Sequence, residues 1–418
     1  MPRKRTIVIA GGGIAGLACA AALATRGTDV TVIERAGQIG ATGSGLVLYP
    51  NGIRAATALT ATTGPRLRTL GRPTRPGDTR TLMDADGTIH AEEPLTPVGS
   101  QIPLLRTALH RTLLDEALTA GAAVRLATTV THYTNHPTHI TAHLADTTTL
   151  TCDALIGADG IHSAIRAHML HDGPPRYRGY TSVRGRTTGS RLGQRAYVVN
   201  GRGIQLFIAP VGHDTLYWTA KITAPQGHWP ALGPAGAHRA LLDALASWHP
   251  PITHLIRTAD PHDIVVTDIH DRDPAPRWTD GRAALTGDAA HPMVPALGQG
   301  ANMALEDAAV LAAVLAAPLP VPDALAAYAR QRMDRTAATV LASRAQGTLD
   351  QGADDATADA RTTHINTTGR KDSTPHHLHT WHPPTTVTST SNPVPAVPVP
   401  AGARPAPRTH RPLTAPRP

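Results

Sequence analysis

Three short stretches hold residue types whose order could carry chemistry. The first, Gly11-Gly12-Gly13-Ile14-Ala15-Gly16, is a G-x-G-x-x-G run. Between a strand and a helix, such glycines permit a tight turn, close approach of the backbone to a pyrophosphate and close helix-strand packing, with the phosphate at the helix N-terminus. Glu34 stands 18 residues after Gly16, at the end of the next strand, where a carboxylate accepts hydrogen bonds from an adenosine ribose. The second stretch is Gly157-Ala158-Asp159-Gly160, and the third runs from Gly287-Asp288 through His291, Pro292 and Pro295 to Gly298-Gln299-Gly300-Ala301-Asn302. Glycines at 298 and 300 let backbone come close to a ligand, and a helix beginning near Gly300 aims free N–H groups at negative charge there.

These stretches need strands ahead of them and helices behind. Ile7 to Ala10 is a short apolar run of the buried-strand type, and the small residues from Ile14 to Ala24 suit a helix lying close on a sheet. With basic residues at 3 to 5 ahead of it, the uncharged run from Ile7 to Ala24 also resembles a secretory signal, but its four glycines and the second β-like run at Val30 to Ile33 favour strand, turn, helix, strand. Leu105 to Leu118 has helical spacing, and Asp153 to Ile156 and Ala283 to Thr286 are further short strand-like runs. Between those two runs the period changes to two. Ile204, Leu206 and Ile208, then Leu216, Trp218, Ala220 and Ile222, alternate as in a half-exposed antiparallel hairpin turning at residues 211 to 214. Asn302 to Leu315 and Pro322 to Arg344 read as long helices. From about Gly352 the chain turns into Thr, Pro, Ala and His, a composition expected to stay disordered.

Composition narrows the function. The chain has 418 residues, 41% of them apolar, enough for two packed units. The formal charge is +8, but Lys occurs only at 4, 221 and 371 and aromatics make up 3%, so neither a nucleic-acid groove nor membrane insertion is expected. Two cysteines, Cys19 and Cys152, make no disulfide scaffold and no Cys-based zinc site, so a cytoplasmic setting is the expectation. His376, His377, His379 and His382 resemble a metal tract, but in a low-complexity segment the reading is a solvated run and no metal site is assigned.

Taken together, the glycine loop with Glu34, the Asp159-Gly160 pair and the Gly287-Asp288 pair resemble the motifs of the FAD-dependent aromatic-hydroxylase-like monooxygenases, the group with the p-hydroxybenzoate hydroxylase fold. Gly43-Ser44-Gly45 with Pro50-Asn51, Arg106, and Tyr177 to Tyr180 with Arg184 are weaker matches, and the likeness runs from about residue 5 to 347. It implies an α/β protein: a Rossmann-like FAD-binding domain with an inserted antiparallel β-sheet substrate domain and a C-terminal helix. The FAD-binding domain would comprise residues 1–72, 101–172 and 281–347, the substrate domain 73–100 and 173–280, and the tail 348–418.

The resemblance also implies roles. Non-covalent FAD would be held by Gly11, Gly13, Ile14, Ala15 and Gly16, by Glu34 and Arg35 at the adenosine end, and by Gly45. Arg106 would lie at the pyrophosphate or ribityl region, Val130 near the adenine, and Asp159 and Gly160 in the motif tied to both FAD and nicotinamide. Asp288 would accept from the ribityl chain, and Pro295, Gly298, Gly300, Ala301 and Asn302 would lie against the flavin. NAD(P)H would be a transient electron donor and O2 a co-substrate, and a flavin C4a-hydroperoxide would hydroxylate or epoxidise a small hydrophobic aromatic or unsaturated molecule. No acid-base residue is assigned; Pro295 and Gln299 are the candidates on the flavin face. Arg184, Gln205, Phe207, Tyr217 and Trp218 are the candidates for touching substrate. The hairpin would act as a lid that keeps water out. A same-fold flavoprotein reductase or a catalytically silent FAD-binding accessory protein stays open beside this reading.

Overall fold

The computed structural model describes residues 4–40, 45–96, 99–212, 214–352, 354–368 and 376–384. The apolar runs at Thr6–Ala10, Asp29–Ile33, Ala154–Gly157 and Ala283–Leu285 form the centre of a six-stranded sheet, with Ala123–Arg125 at one edge and Thr279–Asp280 at the other. All neighbours are parallel except the Thr279–Asp280 edge strand, so both faces of the central strands are covered and their residues are apolar without alternation. The Ile14–Thr25 helix lies on one face with nearly every residue buried, which its alanines and glycine make possible. Cys19 and Cys152 are both buried and unpaired.

Two glycines explain the turn between the first strand and that helix. Gly11 has φ +109°, and a Cβ there would sit 2.3 Å from the Ala158 carbonyl oxygen. A Cβ on Gly16 would sit 1.9 Å from the Gly11 carbonyl oxygen, so the helix cannot approach the strand this closely with any other residue.

The second large element is a seven-stranded sheet in the order Val265–Asp271, Arg176–Thr188, Thr215–Thr223, Ile204–Gly212, Ala196–Gly201, Thr79–Asp84, Ile89–Pro94. Its pairs are antiparallel apart from the parallel pair Ala196–Gly201 with Thr79–Asp84. The hairpin expected to be half-exposed lies in the middle of this sheet, and it is not solvent that its polar face meets. One face packs on the helices Gly233–Ala244 and Pro250–Arg257 through Leu241, Ile252, Leu255 and Ile256. The other turns toward the parallel sheet. A three-stranded antiparallel sheet, Val130–Asn135, Ile140–Leu144 and Thr149–Cys152, and a two-stranded one, Gly45–Leu48 with Ile102–Leu105, complete the architecture.

Two long helices follow, Gly300–Ala316 and Val321–Gln351. The second runs past Arg344, which corrects the start of the expected disordered tail at 348. The correction extends further: Asp355–Thr368 is helical, and residues 376–384 lie on the body with Leu378 buried. These segments have no apolar stripe to read from sequence, because they are held through hydrogen bonds. Arg361 donates to the carbonyls of Asp350 (2.9 Å) and Gly201 (3.0 Å). Residues 385–418 lie outside the described residues. No helix among the described residues is long and apolar enough to cross a membrane.

Candidate functional site

The ends of the parallel strands and the polar face of the seven-stranded sheet enclose an open cleft of about 340 Å³. On the parallel-sheet side it is lined by Gly13, Ile14, Ala15, Gly45, Arg106, Gly160, Asp288, Pro295, Gly298, Gly300 and Ala301. On the opposite side are Ser182, Arg184, Phe207, Tyr217, Thr219 and Lys221. The three sequence stretches that opened the argument thus meet at one place, as strands in a doubly wound sheet bring their C-terminal turns together.

The glycine loop is braced on both sides. Gly12 N–H donates to Glu34 Oε2 (2.6 Å), Glu34 Oε1 accepts from Ala36 N–H (2.9 Å), and His110 Nε2 donates to the Gly12 carbonyl (2.8 Å). Glu34 therefore lies beside the loop, while Arg35 is exposed next to it and Val130 is buried at the start of its strand. Asp159 is half-buried beside the cleft, with Oδ2 accepting from the N–H groups of Ala164 (2.7 Å) and Ile165 (3.3 Å). Burial raises its pKa, and the hydrogen bonds it accepts counter only part of that. Asp159 Oδ1 has no partner among the described residues.

The loop from Pro295 to Asn302 is fixed by a buried network that the sequence reading missed. Asn302 Oδ1 accepts from Tyr49 N–H (2.9 Å), and its Nδ2 donates to Val47 O (3.1 Å) and Gly298 O (2.9 Å). Gln299, a candidate for the flavin face, is instead fully buried, with its Oε1 accepting from Asn51 Nδ2 (3.0 Å). Asn51 also donates to Glu306 (2.7 Å), which pairs with Arg332 (2.5 Å) and Arg335 (2.8 Å). Asp307 accepts from Arg332 (2.7 Å), His291 Nε2 (2.5 Å) and Gly287 N–H (3.0 Å). Burial pushes the Asp307 pKa up, but His291 and Arg332 outweigh it and hold the carboxyl at about 2. The signal was present in the sequence: two consecutive acids, Glu306 and Asp307, stand in an Ala/Leu helix and need cations to be buried.

Of the substrate candidates, Arg184, Phe207 and Tyr217 line the cleft, with Phe207 and Tyr217 edge to face at 6.2 Å. Trp218 does not. The strand alternation turns it to the helix-covered face, fully buried, with Nε1 donating to Thr187 Oγ1 (3.2 Å). Gln205 shares the cleft face but is buried behind the lining, donating to Asn200 (3.0 Å) and Asp350 (3.2 Å) and accepting from Lys221 (3.2 Å). Lys221 and Asp350, which sequence reasoning passed over, form a buried ion pair at 2.5 Å. Gly43 and Ser44 lie outside the described residues. Among the described residues no cluster of His, Cys, Asp or Glu is arranged to hold a metal.

The residues fit a dinucleotide with a redox ring. The helices starting at Ile14 and Gly300 both lack a side-chain cap, so their first N–H groups are offered to the cleft, one at the glycine loop and one at the opposite end. A Cβ added at Gly13 or Gly300 would meet nothing within 4 Å, so both turns stand open to a ligand.

Comparison with known proteins points the same way. The family model for an FAD binding domain matches residues 4–343. The chain is 35% identical to the aurachin C monooxygenase/isomerase of Stigmatella aurantiaca, over 83% of this chain and 90% of that one. It is 35% identical to the 3-amino-4-hydroxybenzoate 2-monooxygenase of Streptomyces cremeus, over 80% and 85%. The solved structure of Klebsiella pneumoniae HpxO complexed with FAD and uric acid aligns with a TM-score of 0.78 and 29% identity, over 88% of this chain and 93% of that one.

Proposed function

This chain belongs to the FAD-binding family of aromatic-hydroxylase-like monooxygenases, and from that premise we propose that it is a single-component enzyme that uses NAD(P)H and O2 to hydroxylate or epoxidise a small aromatic or unsaturated substrate in the cleft. FAD is its cofactor. The observation that carries the reading is the facing of two walls: a loop from Pro295 to Ala301 with an uncapped helix start, and an aromatic wall of Phe207 and Tyr217, across one cleft.

The glycine loop and the Ile14 helix start would hold the pyrophosphate, with Arg106 adding a positive charge on the same lining. Glu34 would exchange its bond to Gly12 for, or share it with, an adenosine hydroxyl. Asp288 would accept from the ribityl chain, and the free N–H groups at Gly300 and Ala301 would stabilise negative charge developing on the ring. When bound, FAD would supply the relay of electrons from NAD(P)H and the oxygen activation that no side chain offers. The protein's part is to hold ring and substrate in register. Asn302, Asn51, Glu306 and Arg332 lock the flavin-side loop, and the sheet, hydrogen-bonded along seven strands, supplies a wall that excludes water.

The test is NAD(P)H oxidation by the FAD-loaded protein under isotope-labelled dioxygen, with a panel of aromatic acids, phenols and quinolines. Stimulated oxidation and one labelled oxygen atom in the product are expected. Stimulation with no labelled product would replace oxygen transfer by a reductase or oxidase activity.

A further inference from the structure

Five of the six methionines lie among the described residues and serve as controls for one another. Met83, Met169 and Met303 are buried. Met293 and Met333 are both half-buried, but Met333 packs against the core of the parallel sheet, whereas Met293 lines the cleft. Met293 stands two residues ahead of Pro295, at the start of the flavin-side loop, and it is held from behind. Its sulfur accepts from Ser343 Oγ (3.9 Å), a hydroxyl buried on the Val321–Gln351 helix. One turn further along that helix, Gly347 lets the loop settle closely, since a Cβ there would come within 3.2 Å of Val294 Cγ2. The thioether is thus fixed between helix and cleft, next to Val294, Pro295 and Ala296 on the same lining. A thioether is soft, polarisable and open to two-electron oxidation. The competing sulfur groups are withdrawn: Cys19 and Cys152 are buried, and burial pushes both thiols up, away from the reactive thiolate.

We propose that Met293 is a modification site, where hydrogen peroxide formed in the cleft is captured as methionine sulfoxide, and that the sulfoxide slows the enzyme. The inference rests on the reading of the cleft as the place where reducing equivalents from NAD(P)H meet O2. With no substrate to take the oxygen, NAD(P)H, a proton and O2 yield NAD(P)+ and hydrogen peroxide. The Met293 sulfur then gives an electron pair to one peroxide oxygen as the O–O bond breaks. Sulfur is oxidised by two electrons and keeps that oxygen, and the other oxygen leaves with both protons as water. The new S=O oxygen is a strong acceptor for the Ser343 hydroxyl, which in the reduced form donates to a weak one. It also sets a polar group beside Val294 and Ala296, so a wall suited to an apolar ring becomes polar. Peroxide is stopped where it arises, and a chain that turns over without substrate slows itself.

Two arms test this on the FAD-loaded full chain, with peptide mass spectrometry counting the oxygen gained at each methionine. In the first, the protein is treated with hydrogen peroxide alone, and Met293 should be oxidised about 10-fold faster than Met333, because susceptibility follows access. In the second, NADH or NADPH is supplied under isotope-labelled dioxygen, without an aromatic substrate and with catalase to clear peroxide from the bulk solution. Met293 should still gain one labelled oxygen atom and Met333 should not, and the rate of NAD(P)H oxidation should fall in step with that gain. In Met293→Leu the rate should hold steady whatever its starting value, and Met293→Gln, a polar side chain of similar length, should begin at the lowered rate, with bound FAD per chain reporting that both variants fold. Oxidation of Met293 no faster than that of Met333 in the first arm would overturn the inference. So would NAD(P)H oxidation that leaves Met293 intact, a rate that falls equally in Met293→Leu, or equal starting rates in the Leu and Gln variants. Absence of NAD(P)H oxidation would sink the proposed activity and leave Met293 as a site for external peroxide, decided by the first arm, whereas oxygen transfer to an aromatic substrate with Met293 inert in both arms would do the reverse.

Discussion

On the two faces of the seven-stranded sheet, alternate residues of the same strands do opposite work. Leu206, Ile208, Leu216, Trp218 and Ala220 face the helices and are fully buried among apolar partners. Gln205, Phe207, Tyr217, Thr219 and Lys221 face the other way, toward the cleft, and most of their polar atoms are tied to a named partner. The apolar face is self-sufficient: each side chain needs only volume around it. The cleft face works in pairs, and a change there leaves a partner stranded. Stability and recognition are thus separated by a single step along the chain.

Substitutions on neighbouring residues test that separation. Trp218→Ala should cost about 3 to 5 kcal/mol, the range for emptying a large buried aromatic, read as a shift of the denaturant midpoint. Tyr217→Ala, one residue away, should cost well under half of that and show itself in weaker substrate binding. Equal losses would mean that the cleft face also carries the fold. Somewhat smaller is Lys221→Met, at about 3 kcal/mol, because it leaves Asp350 charged and buried. The double variant Lys221→Met with Asp350→Leu should recover part of that loss, since no buried charge is left unpaired, but not all of it, because Gln205 and Gln346 lose their bonds to the pair. Failure of the second change to compensate the first would show that the two residues are not energetically coupled.

The flavin-side loop extends the contrast from substitution to pH. Asp307 has its carboxyl held at about 2, below its ordinary 3.8, by His291 and Arg332. A depressed carboxylate contributes stability that is complete above the unfolded pKa and is lost as pH falls through the folded one. The expected loss is about 2 kcal/mol, developing between pH 4 and pH 2. In Asp307→Asn that window should flatten, measured by denaturant titration at each pH. An unchanged acid limb would place the responsible carboxylate elsewhere.

Much of the parallel sheet was legible because its chemistry is local. Gly16 is required by a contact with Gly11 in the same turn, Gly11 has a positive φ of its own beside its long-range contact with Ala158, and Glu34 follows at the spacing of one helix and one strand. The cleft wall was legible by half. Period two identified the strands and grouped Gln205 with Phe207 and Trp218 with Leu216, but it cannot say which set faces a ligand. Trp218, a candidate for touching substrate, is turned to the helices by its register. Least legible were contacts whose partners lie more than a hundred residues apart, such as Asn51 with Glu306 or Lys221 with Asp350, for which spacing holds no information.

The C-terminal segment offers the smallest effect and the finest test of polar anchoring. Residues 376–384 carry only Leu378 as a buried apolar side chain, and the segment is held instead by its backbone. Arg335 donates to Leu378 O (2.6 Å), and Arg54 donates to His379 O and to Trp381 O (2.6 Å). The His379 ring stacks on Tyr49 at 4.9 Å, and the Arg332 guanidinium lies 5.7 Å from the centre of the Trp381 ring. Tyr49 in turn packs against Gly298 in the flavin-side loop, where a Cβ would come within 3.1 Å of its ring. A chain ending at residue 368 loses these contacts but also frees the segment from the entropy cost of being ordered, so the net loss should be about 1 kcal/mol. The more sensitive readout is the bound FAD: its visible absorption and fluorescence should shift because Tyr49 loses the ring stacked on it. His379→Ala should reproduce the spectral shift with little change in stability, and His379→Phe, which keeps a flat ring, should largely restore the wild-type spectrum. If the shortened chain and the full chain give the same FAD spectrum, the segment is only a surface covering, and the buried network around Glu306 fixes the loop unaided.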